Sequence, residues 1–153
     1  MTICEGESTV LDAGAAFDTW EWSTGEITQT IEVTESGIYS VFVTQGTCSG
    51  TGEVEVIVNP IPTPEIDGPD NICVGDIGTL TVIGSYNTFA WSTNSNLESI
   101  IVSDPGTYTV TVTDGNGCSN STSFVVTEVP LPIPEIIGDP NFCPDVNTTL
   151  SLS

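Results

Sequence analysis

Apolar and polar residues alternate with a period of two in short runs through the middle of the chain. "TLTVIG" (79–84), "YNTFAWS" (86–92), "ESIIVSD" (98–104), "TYTVTVTD" (107–114) and "STSFVVTEV" (121–129) each place apolar side chains on one face and hydroxyl or acidic side chains on the other. Gly, Pro, Asn and Asp separate the runs, so the pattern predicts five short strands joined by turns. "PEI" at 64–66 and again at 134–136 predicts a further short strand. Six or seven strands at this spacing predict an antiparallel β-sandwich.

The pattern is written more than once. Cys4, Cys73 and Cys143 recur at intervals of 69 and 70 residues, Trp22 and Trp91 at 69, Tyr39 and Tyr108 at 69, and Cys48 and Cys118 at 70. "NPIPTPEIDGPDNIC" (59–73) returns as "VPLPIPEIIGDPNFC" (129–143). The one-residue slip falls where "TQGTC" becomes "TDGNGC". A fixed register of this length predicts an array of units of about 70 residues. Three segments follow: 1–59, a unit lacking its first strand; 60–129, a complete unit; and 130–153, the start of a third. The third breaks off inside a predicted strand, so the pattern reads as a piece of a longer chain. Prolines 60, 62 and 64, and again 130, 132 and 134, predict stiff extended connectors between units.

Composition agrees with strands and narrows the chemistry. Apolar residues make up 38% and charged residues 14%, and the latter are all acidic: 21 Asp and Glu, no Lys, Arg or His, a formal net charge of −21. Phosphate binding needs cations, so nucleic acid is excluded as a partner. Side-chain salt bridges, lysyl crosslinks and histidine acid–base catalysis are excluded with it. Nucleophilic triads need a His or Lys base, and few carboxylates recur in both units, so the chain reads as a non-enzyme. No apolar run reaches the roughly 18–20 residues that span a bilayer, so no membrane insertion is expected. Self-repulsion at this charge calls for an offsetting term: disulfides, divalent cations or a salty medium.

For the five cysteines, zinc would want clustered Cys or His ligands, and the chain has neither His nor a CxxC pair. The first cysteine of each unit precedes the second strand, and the other lies in the turn between the last two strands. The spacing predicts one disulfide per unit, Cys4–Cys48 and Cys73–Cys118, with Cys143 unpaired within residues 1–153, and an oxidising or extracellular setting. Trp20 and Trp22, matched by Phe89 and Trp91, share one strand face. Trp22 and Trp91 are expected in the cores, with Trp20 a candidate sugar-stacking ring. Tyr39 and Tyr108, in "GIYSVFV" and "GTYTVTV", resemble the tyrosine corner of immunoglobulin-like sandwiches.

The run "WEWSTGEITQTIEVTESGIYSVFVTQGTCSG" resembles the Ig-like or PKD-like tandem repeats of very large secreted surface adhesins of gliding bacteria. The shared features are a Trp-Ser-Thr turn, a Thr/Ile/Val strand, Ser-Gly-x-Tyr-x-Val-x-Val and a following Cys. The resemblance implies tandem Ig-like sandwiches forming a structural stalk or filament at the cell surface, whose partners are adjacent repeats or neighbouring copies. "WSTGE" and "WSTNS" lack the Asp-Phe-Gly-Asp-Gly turn of PKD modules, and functions tied to that motif do not transfer. Two rival readings go with it: a self-polymerising subunit completed by strand exchange, and an accessory module binding surface glycan. No cofactor is expected, calcium excepted. Asp114 and Asn116 in one turn, with Asp67, Asp70 and Asp76 near the junction, are its candidate ligands. Asn120 and Asn147 open formal glycosylation sequons.

Overall fold

The computed structural model describes residues 1–137, 151 and 152, and every element in them is a strand. Residues 1–59 carry β1 (Thr2–Cys4), β2 (Thr9–Asp12), β3 (Thr19–Trp22), β4 (Thr30–Val33), β5 (Gly37–Gln45) and β6 (Cys48–Asn59). After the proline connector come β7 (Glu65–Asp67), β8 (Asn71–Cys73), β9 (Gly78–Ile83), β10 (Thr88–Trp91), β11 (Ser99–Val102), β12 (Gly106–Thr113) and β13 (Ser119–Val129). β14 (Ile136–Ile137) pairs antiparallel with β15 (Ser151–Leu152). The rest of the expected third unit, Cys143 and Asn147 included, lies outside the described residues.

The second sandwich has one sheet in the order β8-β13-β12-β10 and another in the order β7-β9-β11. The first repeats this with β1-β6-β5-β3 facing β2-β4. All pairings are antiparallel except two: β1 runs parallel to β6, and β8 runs parallel to β13. Residue alternation builds the cores. Along β9, Leu80 and Val82 point inward and are essentially fully buried, as are Val110 and Val112 along β12. With Trp91, Ile72, Ile100, Val102 and Val126 they form one apolar cluster. Trp22, Leu11, Ile31, Val33 and Val56 form the other. No polar or charged residue is buried among the described residues, so every described carboxylate keeps its water.

Local hydrogen bonds repeat as faithfully as the sequence. The indole Nε1 of Trp22 donates to the Thr28 carbonyl and that of Trp91 to the Leu97 carbonyl, each at 2.8 Å. The Ser after each Trp accepts from the neighbouring strand: Ser40 N–H to Ser23 Oγ and Thr109 N–H to Ser92 Oγ, both 3.2 Å. The turn then needs a left-handed residue, supplied by Gly25 (φ 96°) in one unit and Asn94 (φ 63°) in the other. These two residue types adopt that conformation most readily. The Tyr39 hydroxyl donates to the Glu35 carbonyl (2.9 Å) and that of Tyr108 to the Asp104 carbonyl (2.7 Å). A Tyr opening the sixth of seven strands and bonded back to the chain four residues upstream is the immunoglobulin tyrosine corner, and a buried Trp on the third long strand accompanies it. The chain is all-β, built of tandem Ig-like sandwiches.

The units differ at one flank. In the second, β7 lies on β9 and Ile66 packs against the core. The approach is close: a Cβ on Gly68 would lie 2.8 Å from the Thr79 carbonyl oxygen. Residues 1–59 contain no counterpart of β7, so β2 pairs with β4 alone. A cleft of about 530 Å³ opens there, lined among others by Leu11, Trp22, Val41 and Val43. Val41 is half-buried where its counterpart Val110 is 0% exposed.

Two outcomes follow from this flank. Leu80→Ala empties a closed core and is expected to cost about 3–4 kcal/mol by denaturant unfolding, whereas Leu11→Ala, beside the cleft, costs less. Equal losses would contradict the open flank. Asp12, also on the cleft, accepts from Gln29 Nε2 (2.9 Å) and from Gly14 N–H (2.7 Å). The Gln29 amide first and the Gly14 N–H second hold its carboxyl below the ordinary carboxylate range. A lowered folded pKa stabilises the fold above the unfolded pKa, and that contribution fades as pH falls through the folded pKa. An NMR titration should find the Asp12 midpoint depressed, and Gln29→Ala should raise it.

Candidate functional site

The chemistry in this chain that depends on its three-dimensional arrangement lies where one sandwich meets the next. Each unit has two distinct ends, set by the parallel strand pairs. Cys4 closes β1 opposite Asn59, the last residue of β6, while Cys48 is the first residue of that same strand. At about 3.3 Å per residue the two cysteines lie roughly 35 Å apart, at opposite ends of the unit. Cys73, opposite Val129 at the end of β13, is separated in the same way from Cys118, which immediately precedes that strand. The expected Cys4–Cys48 and Cys73–Cys118 bonds therefore cannot close. Spacing alone does not show this, because β1 and β8, the strands that carry the first cysteine of each unit to the far end, have three residues each and are too short to show alternation.

The structure instead joins Cys4 to Cys118, with Cα atoms 5.6 Å apart and 114 residues of sequence separation. The bond runs from the tail of the first sandwich to the head of the second, beside the connector. Cys118 is fully buried. Its turn is organised by Asp114, whose Oδ1 accepts from the backbone N–H of Asn116 and of Cys118, both at 2.9 Å. The Asp114 N–H in turn donates to the Cys118 carbonyl at 2.9 Å. On the other side, Cys4 N–H donates to Glu7 Oε2 (2.9 Å), and the Glu7 N–H closes a turn onto the Cys4 carbonyl (3.0 Å). The connector is gripped as well: Asn120 Nδ2 donates to the Pro62 carbonyl at 2.9 Å. The half-buried Asn120 amide thus serves the junction.

Among the described residues, Cys48 and Cys73 are thiols. Cys48 is exposed in the hairpin between β5 and β6, and Cys73 is half-buried. Trp22 and Trp91 sit in the cores, and Tyr39 and Tyr108 at the corners already described. Trp20 is half-buried with its Nε1 donating to the Gly14 carbonyl (3.0 Å), so its ring edge is committed to its own unit. The candidate calcium ligands do not converge. Asp114 and Asn116 share the Cys118 turn, Asp67 ends β7, and Asp70 uses its carbonyl to accept from Thr127 N–H (2.9 Å). Among the described residues no three Cys, Asp or Glu gather as a metal-binding group.

No protein-family profile matches the chain, and no curated protein matches it. Solved structures do. The amphioxus IgVJ-C2 molecule is 18% identical over 83% of this chain and 99% of its own, with a TM-score of 0.38. Murine CEACAM1b is 12% identical over 84% and 96%, with a TM-score of 0.39. The titin domains Z1Z2, solved in complex with telethonin, are 15% identical over 86% and 93%, with a TM-score of 0.36. The fold assignment rests on strand order and on the two tyrosine corners. No described helix is long and apolar enough to cross a membrane.

Peptide mapping under non-reducing conditions is expected to recover one linked pair of peptides containing Cys4 and Cys118. Recovery of Cys4 linked to Cys48 would refute the observed pairing. Asp114→Ala removes both turn acceptor bonds and should speed reduction of that disulfide by about tenfold through local opening.

Proposed function

We propose that this chain is a structural segment of a long extracellular bacterial surface protein, a stalk or filament of tandem Ig-like and PKD-like units that holds an adhesive part away from the cell. The observation that carries this reading is the covalent link from one sandwich to the next. A bond inside a unit stabilises that unit; a bond across a junction fixes how neighbours sit, which is what a rod needs and a free globule does not. The proline connector and the Asn120–Pro62 bond serve the same end. Disulfides persist in oxidising compartments, which fits secretion and exposure at the surface.

The acidic surface fits as well. A net charge of −21 with no side-chain cation keeps neighbouring rods apart and prevents collapse of one unit onto another. The absence of His and Lys leaves no ordinary base for a nucleophile, so the role is mechanical. Partners are adjacent units of the same chain or copies in the same fibre.

The test compares the chain with its Cys4→Ser/Cys118→Ser variant by small-angle scattering and limited proteolysis at residues 59–64. The variant is expected to show a wider spread of inter-unit geometries and faster cleavage at the connector. Identical scattering and cleavage would remove the reading. Raising ionic strength from about 0.01 to 0.15 M should raise the melting temperature by screening like charges; a fall would show that repulsion is not the dominant electrostatic term.

A further inference from the structure

Cys4 and Cys73 occupy the same place in successive units, as do Cys118 and Cys48, yet one member of each pair is bonded and the other is not. The equivalence extends to the backbone. Cys4 ends its strand opposite Asn59, and Cys73 ends its strand opposite Val129. Glu7 N–H bonds the Cys4 carbonyl at 3.0 Å, and Asp76 N–H bonds the Cys73 carbonyl at 2.9 Å. Glu5 N–H bonds the Asn59 carbonyl at 2.8 Å, and Val74 N–H bonds that of Val129 at 3.1 Å. Cys73 therefore presents its sulfur from the tail of unit two in the setting from which Cys4 reaches unit two.

Cys48 likewise stands at the head of unit one, in the β5–β6 turn, which is equivalent in position to the Cys118 turn but one residue shorter and with Gln45 in the place of Asp114. Beside it lies a small hollow of about 140 Å³, lined by Phe17, Val43, Gln45, Ser49 and Gly50. Gly50 holds the place of Asn120, the residue that grips the incoming connector in unit two. Residues 129–134 repeat the proline-rich connector sequence of 59–64 and leave the chain from the Cys73 end. The head cysteine and the tail cysteine thus lie on opposite ends of the molecule, an arrangement that propagates as an open filament.

We propose that Cys73 and Cys48 are the two open halves of the staple seen at Cys4–Cys118: Cys73 bonds the head cysteine of the sandwich that follows it, and Cys48 bonds the tail cysteine of the sandwich that precedes it. The partner in each case is another unit of this kind, and a second copy of the chain can supply it. This rests on the reading of the chain as a fibre segment. The chemistry is thiol–disulfide exchange with a low-molecular-weight disulfide of the glutathione class. The Cys48 thiolate attacks that disulfide and releases one glutathione thiol. The Cys73 thiolate of the neighbour then attacks the Cys48 sulfur and releases the second. Two protein thiols are oxidised and one small disulfide is reduced.

The full chain carrying Cys143→Ser, concentrated in a mixture of oxidised and reduced glutathione, tests this by non-reducing electrophoresis and peptide mapping. Head-to-tail docking raises the local concentration of the unlike pair, so Cys48–Cys73 links should exceed like-with-like links by about fivefold or more. Cys48→Ser or Cys73→Ser, each tested alone, removes one half of the unlike pair and should leave the chain largely monomeric, with at most a minor like-with-like dimer. Random pairing makes the unlike link only half of the total. A share at or below half, or no chain-to-chain link at all, overturns the proposal. Mapping the unsubstituted chain in the same way guards against a folding defect in the Cys143→Ser variant. The fibre reading is tested separately, because the Cys4–Cys118 junction keeps its effect on scattering and cleavage whichever way Cys48 and Cys73 react.

Discussion

The parallel pairing of a three-residue strand with the last long strand of each unit sets the rest of the structure. Because β1 pairs with Ile57–Asn59 at the end of β6, and β8 with Thr127–Val129 at the end of β13, the cysteine ending the short strand is carried to the tail of its sandwich. The other cysteine opens the long strand at the head. Pairing at the opposite end of the long strand would have placed both sulfurs at one end of the unit. The place at which three residues pair therefore decides whether a disulfide stabilises a single bead or joins two.

The cores tolerate the charge because they exclude it. Alternation along β9 and β12 puts Leu80, Val82, Val110 and Val112 inside and Thr79, Thr81, Thr109 and Thr111 on the other face. With no side-chain cation available, a buried carboxylate would have had no ion-pair partner, and the described residues contain none. The indole N–H groups of Trp22 and Trp91, partly buried, are each bonded to a nearby carbonyl, while the Tyr39 and Tyr108 hydroxyls make their bonds at the surface. Closing a loop of 114-residue separation constrains the unfolded chain by about 4–5 kcal/mol, which offsets part of the repulsion.

Much of the fold was legible because it rests on local patterns. The five long strands of the complete unit follow from two-residue alternation, and their observed limits fall within a few residues of the runs that predict them. The Tyr corner and the Trp turn were legible from spacing, since Tyr39 and Tyr108 recur in the same frame. What was not legible is the partner of each cysteine. "NIC" at 71–73 carries too few residues for alternation, and parallel pairing leaves no turn signature in the sequence, because the paired strands are far apart along the chain. The role of Asn120 was hidden for a related reason: its hydrogen bond reaches back to Pro62, across 58 residues.

The staple also alters how a pull on the chain would be carried. Residues 1–4 enter the bond at one end and residues 118–129 leave it at the other, so tension passes through sulfur directly from the start of the first sandwich to the final strand of the second. For a pull applied at residues 1 and 129, everything between Cys4 and Cys118 sits in a covalent loop outside the load path, whereas a pull applied through Cys48 or Cys73 enters that loop. Neither the hairpins nor the proline connector has to bear the force, and the loop cannot be paid out as slack. Such a segment would act as a nearly inextensible tether whose reach is set by its outer strands.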